Sequence, residues 1–550
     1  MIMPVNSTNT NLIQRALLTR PQQRKDNPEK PVIYTNRNLN TPAHLPDPQR
    51  NKEKSEPPVR TSIFYINDFH GKSINIERTM TASNAFDNFK PSAQTDKLKF
   101  SSGDILLGEI EKVNQVAVAG ENALGIMASA VGNHEYDMPK SIGKLIPDMK
   151  FNLLACNIDI RPEYPMSKKV HKSYIQEKNG HRYGVIGTSP TDLISRLKYS
   201  VLFDEHEIHD INETIKDIQT EVDNLKAQGV DKIILLSHLG YGYDRKVARE
   251  TDGIDVILGG HSHNLVLGVK DGENLLYNKS GEPVIITQAG RDGKYFGVLN
   301  LEFDQNGVIT KVQNNVTPTR GFKRNAPLRY VFEKILGKPE IVGVVKSAPP
   351  PIKNDLIDPN PHAQFIVDCM RKELGGDIAL LSAANIRGYF EGGNLDTRVL
   401  EDMSPFKNNL TIIPYTEKEI VEALKATAKS VVNMNNKPGI LHTSGLRYNI
   451  DQNGDISDLY YVDKDGKETK IDIDNPREDK IYRTVVNDYY AMGKDNLTML
   501  DKIDWAEKIY DFDFTRCVKD HFKKDKTPVE IKDDGRIKII NSNSQTKTAS

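Results

Sequence analysis

Five short blocks of glycine, histidine and carboxylate residues restrict what this chain of 550 residues can form more than any other part of its sequence. The blocks are Asn67-Asp68-Phe69-His70-Gly71, Gly103-Asp104, Gly132-Asn133-His134-Glu135, Ser237-His238-Leu239-Gly240 and Gly260-His261-Ser262-His263. They contain no cysteine, so their donors are carboxylate, amide and imidazole groups, which suit Mn, Fe, Zn, Co or Ni ions. They therefore predict a metal centre that performs chemistry rather than a cysteine-bound structural zinc site.

Short runs of β-branched and aromatic residues precede four of these blocks, at 62–66, 98–100, 232–236 and 255–258. We expect each run to be a strand that delivers its block just beyond its carboxyl end, where open α/β sheets place their ligands. Between them, 210–229 has the apolar spacing of an amphipathic helix, with Asp210 at its start. This alternation predicts a layered α/β sandwich.

The length of the chain predicts more than one domain, because a single core rarely supports so many residues. We expect a disordered tail at 1–60, a catalytic domain at 61–335, a linker at 336–351, a second domain at 352–540 and a frayed end at 541–550. The second domain is predicted to be smaller and of the α/β or α+β class. The proline-rich stretches around 339 and 349–351 set the predicted linker.

Charge and hydropathy restrict the partners of the chain. Its net charge of −1 gives no bulk attraction for nucleic acid, so we expect none as a partner. No run reaches the roughly 18 apolar residues of a membrane span, and the first residues lack the apolar segment of a secretory signal. We therefore expect no membrane span and, by default, a cytoplasmic location.

The ligand set divides naturally between two divalent metal ions. A carboxylate must bridge two ions that lie about 3.5 to 4 Å apart, and Asp104 is the natural candidate. The remaining predicted ligands fall into two groups: Asp68, His70 and His263 for one ion, and Asn133, His238 and His261 for the other. A water that bridges the ions is the predicted nucleophile.

His134 and Asp137 are the predicted catalytic pair. His134 directly follows the predicted ligand Asn133, so it should reach the same pocket without binding metal. There it can stabilise the transition state or protonate the leaving oxygen, while Asp137 orients and charges its imidazole. A single histidine is more often structural, but five histidines in ordered, glycine-flanked blocks favour the functional interpretation.

Taken in order, the blocks resemble those of the calcineurin-like metallophosphoesterases. The segments Asn-Asp-x-His-Gly, Gly-Asn-His-Glu-Tyr-Asp and Gly-Gly-His-Ser-His are similar to those of the 5'-nucleotidase branch, and the resemblance covers about residues 61–540. It implies a dimetal domain followed by a C-terminal domain that binds the nucleoside. Members of this branch hydrolyse nucleotides, nucleotide sugars or cyclic nucleotides.

The resemblance also implies substrate-binding residues in the second domain. These are Arg387, Phe406, Asn408, Tyr489 and Asp495, of which Phe406 and Tyr489 would stack on the base and Asp495 would accept from the ribose hydroxyls. The structural alternative for the aromatic residues is core packing.

Three segments depart from the pattern of this branch. Before the first helix of the second domain the branch has an arginine, for which Pro351-Ile352-Lys353-Asn354-Asp355 offers only Lys353. Where the branch has Asn-Gly-Gly-x-Ile-Arg, this chain has Ser382-Ala383-Ala384-Asn385-Ile386-Arg387. The late Gly-Gly-Asp loop is replaced by Gly493-Lys494-Asp495. Substrate preference is therefore the least constrained part of the prediction.

Together these patterns predict a metal-dependent phosphohydrolase that releases phosphate from nucleoside 5'-monophosphates, with a small-molecule nucleotide as its partner. Three alternatives stay open from the sequence. One is a UDP-sugar hydrolase or 2',3'-cyclic-nucleotide phosphodiesterase with the same metals, and another is a nucleic-acid phosphodiesterase. The third belongs to a different class, a non-catalytic binder of nucleotide or protein.

Overall fold

The structure is a computed structural model that describes residues 43–44, 57–108, 110–137, 142–193, 207–350, 352, 356–404, 406, 408–432 and 439–540. The chain divides into two units after Lys338. The predicted tail 1–60 lies outside the described residues except at 43–44 and 57–60, which belong to strands or lead into one. The predicted end segment 541–550 lies wholly outside them.

The strands of the N-terminal unit occur where the β-branched runs predict them, with a few shorter additions. They are β1 (Ala43–His44), β2 (Val59–Ile66), β3 (Asp96–Ser101), β4 (Ala128–Ala130), β5 (Asn152–Leu154), β6 (Ile158–Asp159), β7 (Val170–His171), β8 (Ser173–Lys178), β9 (His181–Thr188), β10 (Glu207–Ile208), β11 (Lys232–Ser237), β12 (Val256–Gly259), β13 (Leu275–Tyr277), β14 (Pro283–Thr287), β15 (Tyr295–Phe303) and β16 (Ile309–Pro318). The runs that precede the blocks thus form β2, β3, β11 and β12.

The helices of this unit are α1 (Ser73–Asn88), α2 (Glu111–Leu124), α3 (Ile142–Leu145), α4 (Ile211–Ala227), α5 (Tyr241–Glu250) and α6 (Ala326–Leu336). α4 is the amphipathic helix that the sequence predicts. The Asp210 side chain caps it by accepting from the backbone N–H groups of Asn212 and Glu213, and Ile218 and Val222 are among the side chains that it buries.

Two large sheets make up the N-terminal unit. The eight-stranded sheet has the order β1-β16-β15-β2-β3-β4-β5-β7, and the six-stranded sheet has the order β13-β14-β12-β11-β9-β8. Strands β2, β3 and β4 run parallel to one another, as do β11 and β12. All the blocks therefore follow the carboxyl ends of parallel strands.

The core lies between and outside these sheets. Side chains of both sheets, including Tyr65, Phe100 and Leu236, form one buried cluster between them. Helices α1, α2 and α6 cover the outer face of the eight-stranded sheet, while α4 and α5 cover that of the six-stranded sheet. The predicted layered sandwich is confirmed as four layers, in the order helix, sheet, sheet, helix.

The C-terminal unit has its own strands and helices. Its strands are β17 (Ile341–Ser347), β18 (Ile378–Ser382), β19 (Gly393–Asp396), β20 (Leu410–Thr416), β21 (Leu441–Ser444), β22 (Leu446–Asp451), β23 (Ile456–Val462), β24 (Glu468–Lys470), β25 (Ile481–Asn487), β26 (Lys508–Ile509), β27 (Val529–Glu530) and β28 (Ile537–Ile540). Its helices are α7 (Pro361–Leu374), α8 (Thr397–Met403), α9 (Glu417–Ala428), α10 (Asp488–Ala491) and α11 (Phe514–Lys524).

A five-stranded sheet of order β21-β18-β25-β20-β26 is the centre of this unit. Successive residues of β18 alternate between its faces, so Ile378 and Leu380 pack towards α9 while Ala379 and Leu381 pack towards α7 and α11. Strand β17 lies inside the predicted linker 336–351, because the β-branched run after Glu340 pairs with β19 and β27. The prolines flank this strand and do not interrupt it.

Among the described residues, no helix combines the length and the apolarity that crossing a membrane requires.

Candidate metal centre

The predicted metal-binding residues meet at the carboxyl ends of strands from both large sheets. Asp68 and His70 follow β2, Asp104 follows β3, and Asn133 follows β4 by three residues. His238 follows β11, and His261 and His263 follow β12. The fold brings these side chains together although up to 195 positions separate them along the chain.

The backbone turns sharply at five of these seven residues. Asp68, His70, Asp104, His261 and His263 have φ angles of 50°, 51°, 51°, 68° and 59°, in the left-handed region that non-glycine residues rarely adopt. Such conformations persist where the surrounding structure fixes them, and they cluster at functional sites.

Two glycines in the blocks make room for these turns. A Cβ on Gly132 would lie 2.1 Å from Oδ1 of Asp104. Gly103 has a φ of +87°, and a Cβ there would lie 2.8 Å from Nδ1 of His238. Glycine at both positions therefore allows Asp104 to approach its neighbours.

Three groups of possible ligand atoms occur among the described residues, each with its donor atoms within 4.8 Å of one another. The group of Asp68, His70 and His263 is one of the two predicted groups, and the group of Asp104, His238 and His261 contains the two histidines of the other. The third group joins His70, Asp104 and His134, so the His134 imidazole also lies at this centre. Asn133 belongs with the second group, because its Oδ1 lies 3.0 Å from Nδ1 of His261.

Asp104 lies beside histidines of both predicted groups. Its Oδ2 is 3.5 Å from Nε2 of His70 and 3.1 Å from Nε2 of His238. One carboxylate oxygen thus faces a histidine from each group, which is the position that a bridging ligand needs.

In two of the histidines Nδ1 already has a hydrogen-bond partner, so Nε2 is the nitrogen that remains for a metal ion. Nδ1 of His70 lies 3.0 Å from Oδ1 of Asp292, and Nδ1 of His238 lies 2.6 Å from the Ser102 carbonyl oxygen. The buried Nε2 atoms of both histidines make no hydrogen bond of acceptable geometry within the described chain. Histidines that bind metal usually donate the N–H of one ring nitrogen to an acceptor and bind the ion with the other nitrogen. His70 and His238 have this arrangement, so these residues fit divalent ions.

Electrostatics support the same interpretation. Burial works to raise the pKa of Asp104, but the His238 and His134 imidazoles outweigh it and hold the pKa of this carboxyl well below its usual range. Burial lowers the pKa of His263 to about 3, against the opposing charge of Asp68. Asp104 is therefore anionic and His263 neutral near neutral pH, and these are the forms that bind metal. Burial works to lower the pKa of His238, but Asp104 and Asp68 outweigh it and raise this pKa to about 10, so a metal ion must displace the proton of His238.

His134 and Asp137 form the pair that the sequence predicts. Nδ1 of His134 lies 2.7 Å from Oδ2 of Asp137, which also accepts from the Gly108 backbone N–H at 2.7 Å. Nε2 of His134 lies 4.0 Å from Oδ2 of Asp104, and the side chain is about one-fifth exposed, at 21%. Nδ1 of the imidazole thus contacts a carboxylate, and Nε2 is directed towards the candidate metal centre.

Sequence reasoning missed four residues that hold this centre. The carboxylate of Glu135 accepts backbone N–H groups from Asp104, Ile105, Leu106 and Gly132, which fixes the two loops against each other. Oδ1 of Asp192 lies 3.4 Å from Nε2 of His261, and Asp292 orients His70. Asn67 accepts from the Ala289 N–H and donates to Asp68.

Of these four, only Asn67 and Glu135 carried a signal in the sequence, as polar residues within two of the blocks. Asp292 and its partner His70 are 222 positions apart, so no spacing pattern connects them.

The predicted substrate residues of the C-terminal unit form contacts among themselves. The guanidinium of Arg387 lies 5.4 Å from the centre of the Phe406 ring, and the Tyr489 hydroxyl donates to Oδ1 of Asp495 at 3.2 Å. Among the described residues no ring contact joins Phe406 to Tyr489. Tyr489 is 36% exposed, so a core-packing role does not account for it.

A small cavity adjoins Phe406. Its lining residues are Asn385, Ser404, Phe406, Asn408, Leu410, Asn487 and Phe514. Three side-chain amides and two aromatic rings thus line a cavity of about 10 Å³, which is the size of one water molecule.

Comparisons with known proteins agree with the fold and with the site. Residues 61–265 match the family described as Calcineurin-like phosphoesterase, and residues 342–502 match the one described as 5'-nucleotidase, C-terminal domain. The first match, with the metal-binding geometry, places the N-terminal unit in the class of calcineurin-like phosphoesterases, which are phosphoric ester hydrolases. The second match follows in the same chain, so this protein combines a domain similar to the calcineurin-like phosphoesterases with one similar to the 5'-nucleotidase C-terminal domain.

Individual relatives are distant. The trifunctional nucleotide phosphoesterase protein YfkN of Bacillus subtilis is 24% identical over 538 residues, which cover 87% of this chain and 35% of that protein. The 5'-nucleotidase of Mus musculus is 30% identical over 226 residues, or 38% of each chain. This chain therefore matches little more than a third of the length of either relative.

The fold has a counterpart among solved structures. The crystal structure of a 5'-nucleotidase precursor from Thermus thermophilus superposes with a TM-score of 0.66 at 23% identity, over 88% of this chain and 99% of that one. This likeness establishes the fold.

Proposed function

We propose that this protein is a metal-dependent 5'-nucleotidase that releases phosphate from nucleoside 5'-monophosphates. The observation that carries the proposal is the convergence of two groups of carboxylate and imidazole ligand atoms on either side of Asp104. The match to both domains of the 5'-nucleotidase family supports a nucleotide as the substrate.

Two divalent ions, of Mn, Zn, Fe, Co or Ni, would be held in this centre. Asp68, His70 and His263 would hold one and Asn133, His238 and His261 the other, with Asp104 shared. When bound, such ions neutralise the phosphate oxygens and acidify water enough to give a nucleophile near neutral pH. Asp292 and the Ser102 carbonyl keep Nε2 of His70 and His238 turned inward for this role.

His134 is the proposed catalytic residue beside this centre. The hydrogen bond from its Nδ1–H to Asp137 stabilises the imidazolium form, so Nε2 can carry a proton to the leaving ribose oxygen. The same positive charge would stabilise the negative charge that develops on the phosphate in the transition state. Asp137 is fixed for this task by the Gly108 N–H.

Residues of the C-terminal unit are proposed to bind the nucleoside. Phe406 and Tyr489 would stack on the base, Asn408 would contact its edge, and Asp495 would accept from the ribose hydroxyls. Arg387 lies beside the Phe406 ring, where it can attract the phosphate or the ribose. This assignment rests on the resemblance of these segments to the family.

A broader phosphoesterase activity, on nucleotide sugars or 2',3'-cyclic nucleotides, is the second candidate. The exposed Lys494 in the loop that carries Asp495 favours it, because it adds a positive charge for a further phosphate. YfkN, a relative across most of this chain, is itself named as trifunctional.

A substrate panel tests both candidates. The protein would be stripped of metal with a chelator and reloaded with Mn, and hydrolysis of AMP, UDP-glucose, 2',3'-cyclic AMP and p-nitrophenyl phosphate would be followed by chromatography of the products. Product analysis is needed because the first hydrolysis of UDP-glucose or cyclic AMP gives phosphate monoesters and no inorganic phosphate. Hydrolysis of AMP with the highest kcat/KM supports the proposal, whereas a preference for UDP-glucose or cyclic AMP supports the second candidate. Turnover of p-nitrophenyl phosphate alone would retain the metal centre and reject the nucleoside site.

A further inference from the structure

Asn385 is the meeting point of the segments that carry the proposed nucleoside-binding residues. Its amide makes four hydrogen bonds: Nδ2 donates to the Tyr490 hydroxyl at 2.5 Å and to Oγ of Ser382 at 3.4 Å, and Oδ1 accepts from Nδ2 of Asn487 at 2.5 Å and from Nδ2 of Asn408 at 3.4 Å. The residue is only 9% exposed.

These four bonds use the full capacity of the Asn385 side chain, because a primary amide has two donor hydrogens and two acceptor lone pairs. Asn385 therefore has nothing left to offer a ligand, although it lines the cavity beside Phe406. Any effect that it has on substrate must pass through the residues that it contacts.

The hydrogen bonds of Asn487 fix the orientation of the Asn385 amide. Oδ1 of Asn487 accepts the backbone N–H of Tyr490 at 3.0 Å, so Asn487 must present its Nδ2 to Asn385. Asn385 must then turn Oδ1 towards Asn487 and Nδ2 towards the Tyr490 hydroxyl. Asn408 in turn presents Nδ2 to Asn385, which leaves the Asn408 oxygen available to a ligand.

The network also reaches the second proposed stacking residue. Tyr490 packs its ring edge-on against Tyr489, with centroids 5.5 Å apart and planes at 75°. Its hydroxyl contacts both Asn385 and Ser382, so the Tyr490 ring is held from its polar end. One amide thus fixes Asn408 on one segment and, through Tyr490, Tyr489 on another.

We propose that Asn385 is a positioning residue for nucleoside recognition, which sets the orientation of the Asn408 amide and the placement of Tyr489. The inference rests on the proposed function, since it assumes that Asn408 and Tyr489 contact the base. It assigns a role to a position outside the residues that the family resemblance implies.

The test compares AMP with ribose 5-phosphate, a substrate that has the same phosphate ester but no base. Asn385→Ala is expected to raise KM for AMP about tenfold, as the loss of oriented hydrogen bonds does, and to leave kcat/KM for ribose 5-phosphate within about twofold. Tyr490→Phe removes only the hydroxyl and should raise KM for AMP about threefold. Asn449→Ala removes an asparagine from β22 whose amide donates to Asp458, and it should change neither value.

The outcomes separate this inference from the proposed function. If the wild type hydrolyses AMP and ribose 5-phosphate with equal kcat/KM, the nucleoside site itself is rejected. If the wild type prefers AMP and both Asn385→Ala and Tyr490→Phe keep that preference, the positioning role alone is overturned. An equal loss for both substrates would indicate general structural damage and would also overturn it; if Asn385→Ala does not fold, Tyr490→Phe carries the test.

Discussion

The candidate metal centre and the proposed nucleoside site differ in how their residues are held. In the N-terminal unit, the candidate ligands lie on turns after parallel strands of two sheets, and most of them have a second partner that fixes their direction, as Asp292 does for His70. In the C-terminal unit, the proposed contacts come from separate segments that meet through a single amide, Asn385. The candidate metal ligands are thus held by many separate contacts, whereas the proposed nucleoside contacts depend on one small hydrogen-bond network.

This difference has a consequence for substitutions. Changes at the candidate metal ligands should affect every phosphate ester alike, because the phosphate is common to all of them, whereas a change at His134 should depend on how much the leaving group needs a proton. Changes at the nucleoside site should affect only substrates that carry a base.

Asp104→Asn should have the largest effect. The amide removes the negative charge between the two ligand groups, so we expect phosphate release from AMP and from p-nitrophenyl phosphate to fall on the order of a thousandfold or more. Steady-state rates with added Mn check this. Asp465→Asn, on an exposed turn of the C-terminal unit, is the matched control and should retain full activity. A substrate-selective loss in Asp104→Asn would contradict the comparison.

His134→Gln should come next, with a loss of about a hundredfold or more in kcat for AMP, as expected when a general acid is removed. The loss should be smaller for p-nitrophenyl phosphate, whose leaving group needs no proton. Asp137→Asn should act in the same direction, and the double variant should lose little beyond His134→Gln, because the two residues act as one unit.

His181→Gln is the control for this pair. It removes another histidine whose Nδ1 lies 2.7 Å from a carboxylate, that of Asp96, outside the candidate metal centre. Equal losses for the two substrates in His134→Gln would argue against proton transfer and in favour of a purely electrostatic role.

Phe406→Ala should have a smaller and selective effect. Loss of stacking on one face of the base should raise KM for AMP about tenfold and leave p-nitrophenyl phosphate unchanged. Tyr460→Ala, on β23 of the same unit, is the control. If Phe406→Ala weakens both substrates to the same extent, Phe406 is a core residue and not a base contact.

The smallest expected effect concerns the response of stability to pH. Burial, with a smaller contribution from Arg536, lowers the pKa of His442 to about 3, and neither ring nitrogen has a hydrogen-bond partner within the described chain. A depressed histidine pKa means that stability is fully present above the pKa of the unfolded imidazole, near 6.5, and is lost as pH falls below it. The C-terminal unit should therefore lose about 1 kcal/mol by about pH 5.5, and His442→Leu should remove this loss.

Urea unfolding followed by far-UV circular dichroism at several pH values measures the stability of the protein. His209→Gln in the N-terminal unit is a control of opposite sign. A hydrogen bond to Asp217 raises the pKa of His209, so its stabilisation is present below the unfolded value and is lost as pH rises through the folded one. A loss of stability in acid that persists unchanged in His442→Leu would contradict the assignment to His442.

The strands and the candidate ligands could be predicted from the sequence because both depend on local patterns. The β-branched runs form β2, β3, β11 and β12, and the structure brings all seven predicted ligands together. Asp192 and Asp292 could not be found in this way, because their histidine partners are distant in sequence and no local pattern connects them. The linker was placed from prolines, and those prolines flank a strand whose pairing partners lie far along the chain.

In the C-terminal unit the resemblance named the contact residues, but it could not reveal Asn385. Asn385 makes four hydrogen bonds, to residues between 3 and 105 positions away. In the pattern Asn-Gly-Gly-x-Ile-Arg it occupies the position x, where any residue is allowed. The metal-ligand assignments and the substrate contacts stay predictions until they are tested.

Titration of the metal-stripped protein with Mn tests the central claim most directly, by counting the ions that the centre holds. The account predicts two ions per chain, both lost from Asp104→Asn or bound far more weakly, with phosphate release from AMP that rises as the second ion binds. Full activity with one ion or with none, or tight binding of two ions that survives Asp104→Asn, would contradict it.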